Sequence, residues 1–226
     1  NGQIDDIADI NDSNVRMKHT FEGQIVNHKD SLGKIYSITS KLDQYEPEEV
    51  LFYAAQILGQ LMDSKDIAIY SVANDDYARL FSFTSETAKK MGNSIHYSVM
   101  DEMYNELKED RIFINRNMNP EYPLMANAIY SENEMQIILM VWGIPWERMN
   151  LAEANRLRVI GYLIQNAVVR ANRYLDALRE DRYMEGTDIL KEDAFIHLVT
   201  AFSNAKRDGL AECTLIKMGV SRGEFQ

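Results

Sequence analysis

The spacing of apolar positions changes several times along the chain, and each spacing predicts an element. Over residues 15–42 the steps alternate between three and four residues, which is typical of a coiled-coil seam. This seam consists of Phe21, Ile25, His28, Leu32, Ile35, Thr39 and Leu42. A second helix is expected to open at Pro47, because proline suits the first helical position and Glu48 and Glu49 suit the positive end of the helix dipole.

The central region changes to the shorter period of strands. Residues 66–72 and 77–83 predict a hairpin, because turn-forming residues separate them. Further predictions are strands over residues 94–98, 112–116, 125–131 and 134–143, with a short helix over 100–107. Residues 137–142 are continuously apolar, which indicates a central strand that is covered on both faces.

The clearest helical pattern covers residues 151–183. Its apolar positions step by three and four residues throughout, as in a coiled coil. We expect them to form a dimerisation seam, although a helix that packs on its own sheet would also bury an apolar stripe. The seam positions are Leu157, Ile160, Ile164, Ala167, Ala171, Tyr174 and Leu178.

A third region follows Gly186. Residues 193–207 predict a helix with one apolar face, and residues 213–220 predict a strand. The helical face consists of Phe195, Leu198, Val199 and Phe202. One helix and one strand cannot bury a core alone, so this region either begins another domain or folds back on the first.

The order of these elements resembles a GAF domain over residues 34–181: a helix, a hairpin, a variable middle, three strands and a long closing helix. The resemblance implies an α+β fold, in which an antiparallel sheet carries helices on one face. It also implies a ligand pocket beneath variable loops on the other face. The long helices predicted on either side would flank this domain.

Residues 183–218 resemble the opening of a GGDEF domain, the diguanylate cyclase fold. The resemblance is carried by Phe195, by a helix that ends in Lys206 and Arg207, and by the apolar stretch over residues 214–218. The Asn-Arg pair of that family is absent, and residues 217–219 replace its metal-binding aspartate. Since Mg²⁺ prefers carboxylate ligands, the resemblance implies a degenerate, non-catalytic domain without metal or cofactor.

We therefore predict three parts: a lead-in and dimerisation helix (1–33), a GAF-like domain with its closing helix (34–183), and the start of a degenerate GGDEF-like domain (184–226). This combination is similar to the PelD family of cyclic di-GMP receptors, which act in Pel exopolysaccharide biosynthesis and biofilm formation. The similarity implies a homodimer and other exopolysaccharide synthesis proteins as partners. It also implies cyclic di-GMP binding in the full-length parent, and a cytoplasmic domain that membrane helices precede.

Candidate ligand-binding residues are few. The inhibitory site of the PelD family lies later in its GGDEF domain, so none of its residues can be carried over. Arg173 and Asp176 repeat the Arg-x-x-Asp spacing on the closing helix, where the arginine could hold a phosphate or pair with the aspartate. Arg116 lies in the polar loop over residues 111–125, which could be a lid over a pocket or an ordinary connection.

Charge and composition restrict the function further. The formal net charge is −11 and no run of Lys and Arg supplies a basic face, so we expect no nucleic-acid polymer among the partners. The single cysteine, Cys213, and the scattered histidines lack metal-ligand spacing. We predict a regulatory module that is not an enzyme. The alternatives are a sensor of another small molecule and a ligand-free scaffold for dimerisation and partner docking.

Overall fold

The computed structural model describes residues 32–74, 76–131 and 134–219. Several predicted features lie outside these residues: the lead-in and the seam positions Phe21, Ile25 and His28. The chain divides into two compact units, Asn1–Lys41 and Leu42–Gln226. The division falls later than the boundary predicted at residue 33, and residue 184 does not divide the second unit.

Within the first unit, residues 32–39 are helical. Ile35 and Thr39 are buried, while Leu32 is half exposed at 52%. The Thr39 hydroxyl donates to the Ile35 carbonyl over 2.8 Å, so this polar seam position is satisfied by its own helix.

The second unit alternates helices with six strands. Its helices are α1 (Val50–Met62), α2 (Asp101–Lys108), α3 (Leu151–Ala177), α4 (Arg179–Arg182) and α5 (Glu192–Arg207). Its strands are β1 (Ile67–Asn74), β2 (Tyr77–Phe83), β3 (Ser94–His96), β4 (Phe113–Ile114), β5 (Met125–Ser131) and β6 (Glu134–Val141). The strands form one antiparallel sheet in the order β3-β2-β1-β6-β5-β4.

Strand β6 lies between β1 and β5 and is buried on both faces, as its apolar run predicts. Ile138 and Met140 point to the face covered by α2 and the loops. Because side chains alternate along a strand, Ile137 and Leu139 point to the opposite face, where α1 and α3 contact the sheet. The predicted α+β architecture, a GAF-like antiparallel sheet with flanking helices, is confirmed.

Helix α3 uses its apolar stripe to pack within its own unit. Leu157, Ile160 and Ile164 are fully buried in a single chain, and the helix contacts β5 and α1. Gly161 permits this close approach, because a Cβ atom there would collide with the Asn127 amide of β5. A helix packed on its own sheet, the alternative to a dimer seam, therefore accounts for the buried part of the stripe.

The chain after residue 183 folds back onto the sheet unit. Phe202 of α5 contacts Phe52 of α1 edge to face, at 5.0 Å between ring centroids. Leu210 and Ala211 are buried in the same cluster. The Leu210 carbonyl accepts a hydrogen bond from the Phe83 amide over 2.9 Å. Of the two alternatives for this region, folding back is the one observed.

Two predictions for this region are wrong. Residues 213–219 form no strand, because no neighbouring strand pairs with them in the part of the chain that the structure describes. Phe195 is 44% exposed, because Ala194, Ala201 and Ala205 form the buried face of α5 instead. The small alanines allow α5 to approach the unit closely.

The start of α1 also differs from the prediction. Residues 47–49 form a turn, and the helix begins at Val50. The two glutamates of that turn bind the folded-back segment: Glu48 pairs with Arg182 over 2.5 Å, and Glu49 accepts from the Asn204 amide over 2.7 Å. These acids therefore act through tertiary contacts instead of the helix dipole.

Candidate functional site

The loop-covered face of the sheet combines a floor of small side chains with a roof of larger ones. The floor contains Ala68 of β1, Ala78 of β2, and Ala126 and Ala128 of β5. The roof is formed by α2 and by residues 84–93, which we call the roof loop. Methionines fill the space between floor and roof: Met91, Met100, Met103, Met135 and Met140. Because methionine is flexible and unbranched, such an interior can rearrange around an inserted group.

Phenol groups of the sheet fasten the roof. The Tyr70 hydroxyl donates to the Gly92 carbonyl of the roof loop over 2.8 Å, and the Tyr130 hydroxyl donates to the Leu107 carbonyl of α2 over 2.5 Å. Burial raises the pKa of both tyrosines, so both remain protonated donors at neutral pH. These two bonds tie the roof loop and α2 to the sheet. The roof loop is also held by the Ser85 hydroxyl, which donates to the Asp66 carboxylate over 2.6 Å.

Trp142 is the polar anomaly of this interior. It follows β6, is only 4% exposed and packs in the apolar cluster between the floor and the roof, which we call the loop-covered cluster. Its indole Nε1 has no hydrogen-bond acceptor among the described residues. The Lys90 ammonium group lies 5.8 Å from its ring centroid. A buried donor without a partner costs about 1–3 kcal/mol, and an acceptor on a bound molecule would recover that energy.

The polar loop over residues 111–125 is organised by its own buried amide. Asn115 is 2% exposed. Its Nδ2 donates to the Asn119 carbonyl over 2.8 Å, and its Oδ1 accepts from the Asn119 amide over 2.9 Å. These bonds fix the conformation of the loop around Asn115. Arg116 is exposed on an outer groove of about 480 Å³, beside Arg111 and Glu106.

The structure does not bring the predicted ligand residues together. Arg173 and Asp176 are exposed on α3, and the ion pairs of the described residues include none between them. Neither residue lines the groove that holds Arg116. Among the predicted seam positions, Ala167 and Ala171 are buried in the single chain, Leu178 is partly buried and Tyr174 is 57% exposed.

A second concavity lies on the helix-covered face. This cleft has a volume of about 700 Å³ and is enclosed by α1, α3, α5 and the sheet. Ser71 and Phe81 lie on its floor, and Val168 and Leu175 of α3 form one wall. The Arg182–Glu48 ion pair is part of its lining. The cleft exists because α5 and the residues before it fold back, which the sequence left as one of two alternatives.

The described residues contain no group of three or more His, Cys, Asp and Glu side chains placed to hold a metal ion. None of the described helices is long and apolar enough to cross a bilayer. Trp142 is the last residue of the apolar run over residues 137–142. No local signal distinguishes it, because the missing acceptor depends on neighbours that are distant along the chain.

The sheet order, the helix layer and the loop-covered face together define a GAF-domain fold. No protein-family model matches the chain, and no curated protein sequence matches it. Solved structures do match. The GAF domain of an Acinetobacter phosphoenolpyruvate-protein phosphotransferase aligns at 9% identity and a TM-score of 0.50, over 65% of this chain and 97% of that domain. A fragment of a methyl-accepting chemotaxis protein, residues 122 to 287, aligns at 10% identity and a TM-score of 0.47. The alignment covers 61% of this chain and 98% of that fragment.

Proposed function

We propose that the chain is a non-catalytic regulatory module, which binds a small, largely apolar molecule under the roof of its GAF fold. The observation that carries the proposal is the buried Trp142 indole without an acceptor, set in an interior of alanines and methionines. Binding sites are commonly apolar with a few polar groups that fix orientation, and this interior has that composition.

The same chemistry limits what the ligand can be. The region between the floor and the roof, which we call the roofed interior, is lined by alanine, methionine and aromatic side chains. A multiply charged ligand would therefore lose its hydration there without compensation. An uncharged molecule with one hydrogen-bond acceptor directed at Trp142 fits better. Entry requires the roof loop or α2 to move, because the floor residues Ala68, Ala78 and Ala126 are fully buried.

Acetophenone and ethylbenzene provide a matched pair of probes, since they have similar size and only acetophenone carries an acceptor. We expect acetophenone to bind more tightly by about threefold to tenfold, from one net hydrogen bond. Binding is measured from backbone amide shifts in NMR titrations. In Trp142→Phe the preference should vanish, while Trp146→Phe should keep it, because Trp146 is 60% exposed. If neither acetophenone nor ethylbenzene binds, the proposal is contradicted.

We further propose that this module belongs to a PelD-like cyclic di-GMP effector that controls exopolysaccharide biosynthesis. The support is the sequence resemblance of residues 183–218, of which the helix that ends in Lys206 and Arg207 is present as α5. The roofed interior, by contrast, is apolar. Such an interior does not suit a dinucleotide with two phosphates, so the nucleotide would bind outside the GAF-like unit. Calorimetric titration of cyclic di-GMP should therefore show binding to the full-length parent and none to residues 1–226. Binding to neither would count against the effector hypothesis.

A homodimer remains part of this proposal. Its contacts would involve Tyr174 and other exposed positions of α3, because Leu157, Ile160 and Ile164 are buried within one chain. Tyr162 is 52% exposed on the same helix. Sedimentation velocity on Tyr162→Glu and Tyr174→Glu tests this arrangement. A shift from dimer to monomer supports it. A dimer that persists in both variants contradicts it, and the dimer contacts would then be sought in the first unit.

A further inference from the structure

The roof loop is tied to the C-terminal segment through one lysine. Lys89 Nζ lies 2.7 Å from Glu212 Oε1 and 2.9 Å from Glu86 Oε1. The same ammonium group stands 4.6 Å from the Phe83 ring centroid. These contacts leave only 14% of the Lys89 side chain exposed. The hydrogen bonds to Glu212 and then Glu86 raise the pKa of Lys89, so the side chain stays charged.

A backbone bond holds the same segment close by. The Phe83 amide, at the end of β2, donates to the Leu210 carbonyl over 2.9 Å. Leu210 and Ala211 are buried against Phe52. The C-terminal segment is thus anchored at residue 210 beside the start of the roof loop, and at residue 212 in its middle.

The inner side of the roof loop belongs to the proposed ligand site. Ala88 is fully buried in the loop-covered cluster, and it precedes Lys89 within one 3₁₀ turn, Thr87–Lys89. The turn is held by the Ala88 amide, which donates to the Ser85 hydroxyl over 3.2 Å. A group that lifts Ala88 must therefore move Lys89, because adjacent residues of a short hydrogen-bonded turn shift together.

The C-terminal segment continues beyond Glu212 into exposed apolar residues. Beyond Glu212 the chain has no regular structure through residue 219. Leu215, Ile216 and Met218 of this stretch are 72%, 75% and 84% exposed. A segment with few buried contacts is the part of a protein that responds most readily to a change at its anchor.

We infer that the Lys89–Glu212 ion pair transmits occupancy of the roofed interior to the C-terminal segment, as a regulatory contact of the GAF unit. This inference rests on the proposed ligand site, because occupancy is what moves the roof loop. The segment is held at residues 210–212 when the interior is closed. The hold at Glu212 is lost when Ala88 is lifted and Lys89 withdraws, while the Phe83–Leu210 bond keeps residue 210 in place.

Hydrogen–deuterium exchange over residues 208–213 tests the contact. Lys89→Gln should speed exchange there by about threefold, the scale of one partly buried ion pair. Lys65→Gln is the control with the same change of charge, because Lys65 is exposed and lies outside the roof loop. We expect its exchange at 208–213 to equal that of the unaltered protein. Equal exchange in Lys89→Gln and Lys65→Gln would overturn the inference.

A larger residue at position 88 imitates a ligand beneath the roof loop. Ala88→Met should speed exchange over 208–213, and the double variant with Lys89→Gln should show no further increase. Coupled residues give such non-additive effects, whereas independent ones add. Additive effects would show that the roof loop acts on the segment through another route and would refute the role of Lys89.

The two hypotheses fail separately. Acetophenone binding without faster exchange at residues 208–213 would overturn the transmission and leave the ligand site intact. Non-additive exchange in the variants without any acetophenone binding would support the transmission and overturn the ligand chemistry.

Discussion

Replacement of Ile164 by alanine distinguishes a core position from a dimer seam. Ile164 is 0% exposed within one chain and lies on the face of α3 that contacts the sheet. Truncation of a fully buried isoleucine to alanine costs about 2–5 kcal/mol, from lost burial plus the cavity left behind. We expect a loss of about 3 kcal/mol, because neighbouring strands and helices leave little room for collapse.

Urea unfolding followed by circular dichroism measures this loss. With a slope of about 2 kcal/mol per molar urea, the midpoint should fall by about 1.5 M. The shift should be the same at two protein concentrations about a hundredfold apart. If Ile164 stabilised the fold only through a second copy, that concentration change alone would alter stability by about 2.7 kcal/mol.

Ile196→Ala on α5 is the matched control, because it makes the same change of side chain. Ile196 is 52% exposed, so truncation should change stability by no more than about 0.5 kcal/mol. The reasoning would be refuted if Ile164→Ala kept the unfolding midpoint of the unaltered protein but converted a dimer to a monomer in sedimentation. It would also be refuted if Ile196→Ala were the more damaging change.

Three further predictions concern buried contacts. Gly161→Ala should displace the Asn127 side chain, because the new Cβ atom would collide with Asn127 Nδ2; unchanged NMR signals of the Asn127 side-chain amide would exclude that close approach. Asn115→Ala should cost about 1–3 kcal/mol, because the Asn119 carbonyl and amide lose their partner; unchanged NMR shifts over residues 115–122 would contradict this. Tyr53 donates to Asp208 over 2.6 Å, which raises the pKa of Tyr53 to about 12 and lowers the pKa of Asp208. The stability difference between the unaltered protein and Tyr53→Phe should therefore be fully present between the ordinary aspartate pKa of 3.8 and the ordinary tyrosine pKa of 10.0. It should disappear as the pH falls below the first value or rises toward 12, and a difference independent of pH would count against the bond.

Local sequence determined most of the elements of the sheet unit. Side-chain period fixes whether a segment is a strand or a helix, since it decides which residues share a face. The run over residues 137–142 shows this clearly: alternate residues of β6 are buried on opposite faces of the sheet. The two-residue β4 is the weakest case, because Asn115 leaves the strand to organise the loop.

Tertiary structure alone decided where those elements meet. A seam of three and four residue steps on α3 serves a partner helix or the protein's own sheet equally well, and only the position of β5 places Ile160 and Ile164 in the core. A strand pattern over residues 213–219 remained unpaired, because a strand requires hydrogen bonds from a neighbour.

The candidate site also depends on the tertiary structure. Trp142, Lys89 and Glu212 are unremarkable in the sequence, and their roles arise from neighbours far along the chain. By itself, the sequence determined most elements of the sheet unit and the acidic charge, because these depend on residue type and local spacing. The structure decided which donor lacks an acceptor and which charges meet, because burial and distance are properties of the folded chain.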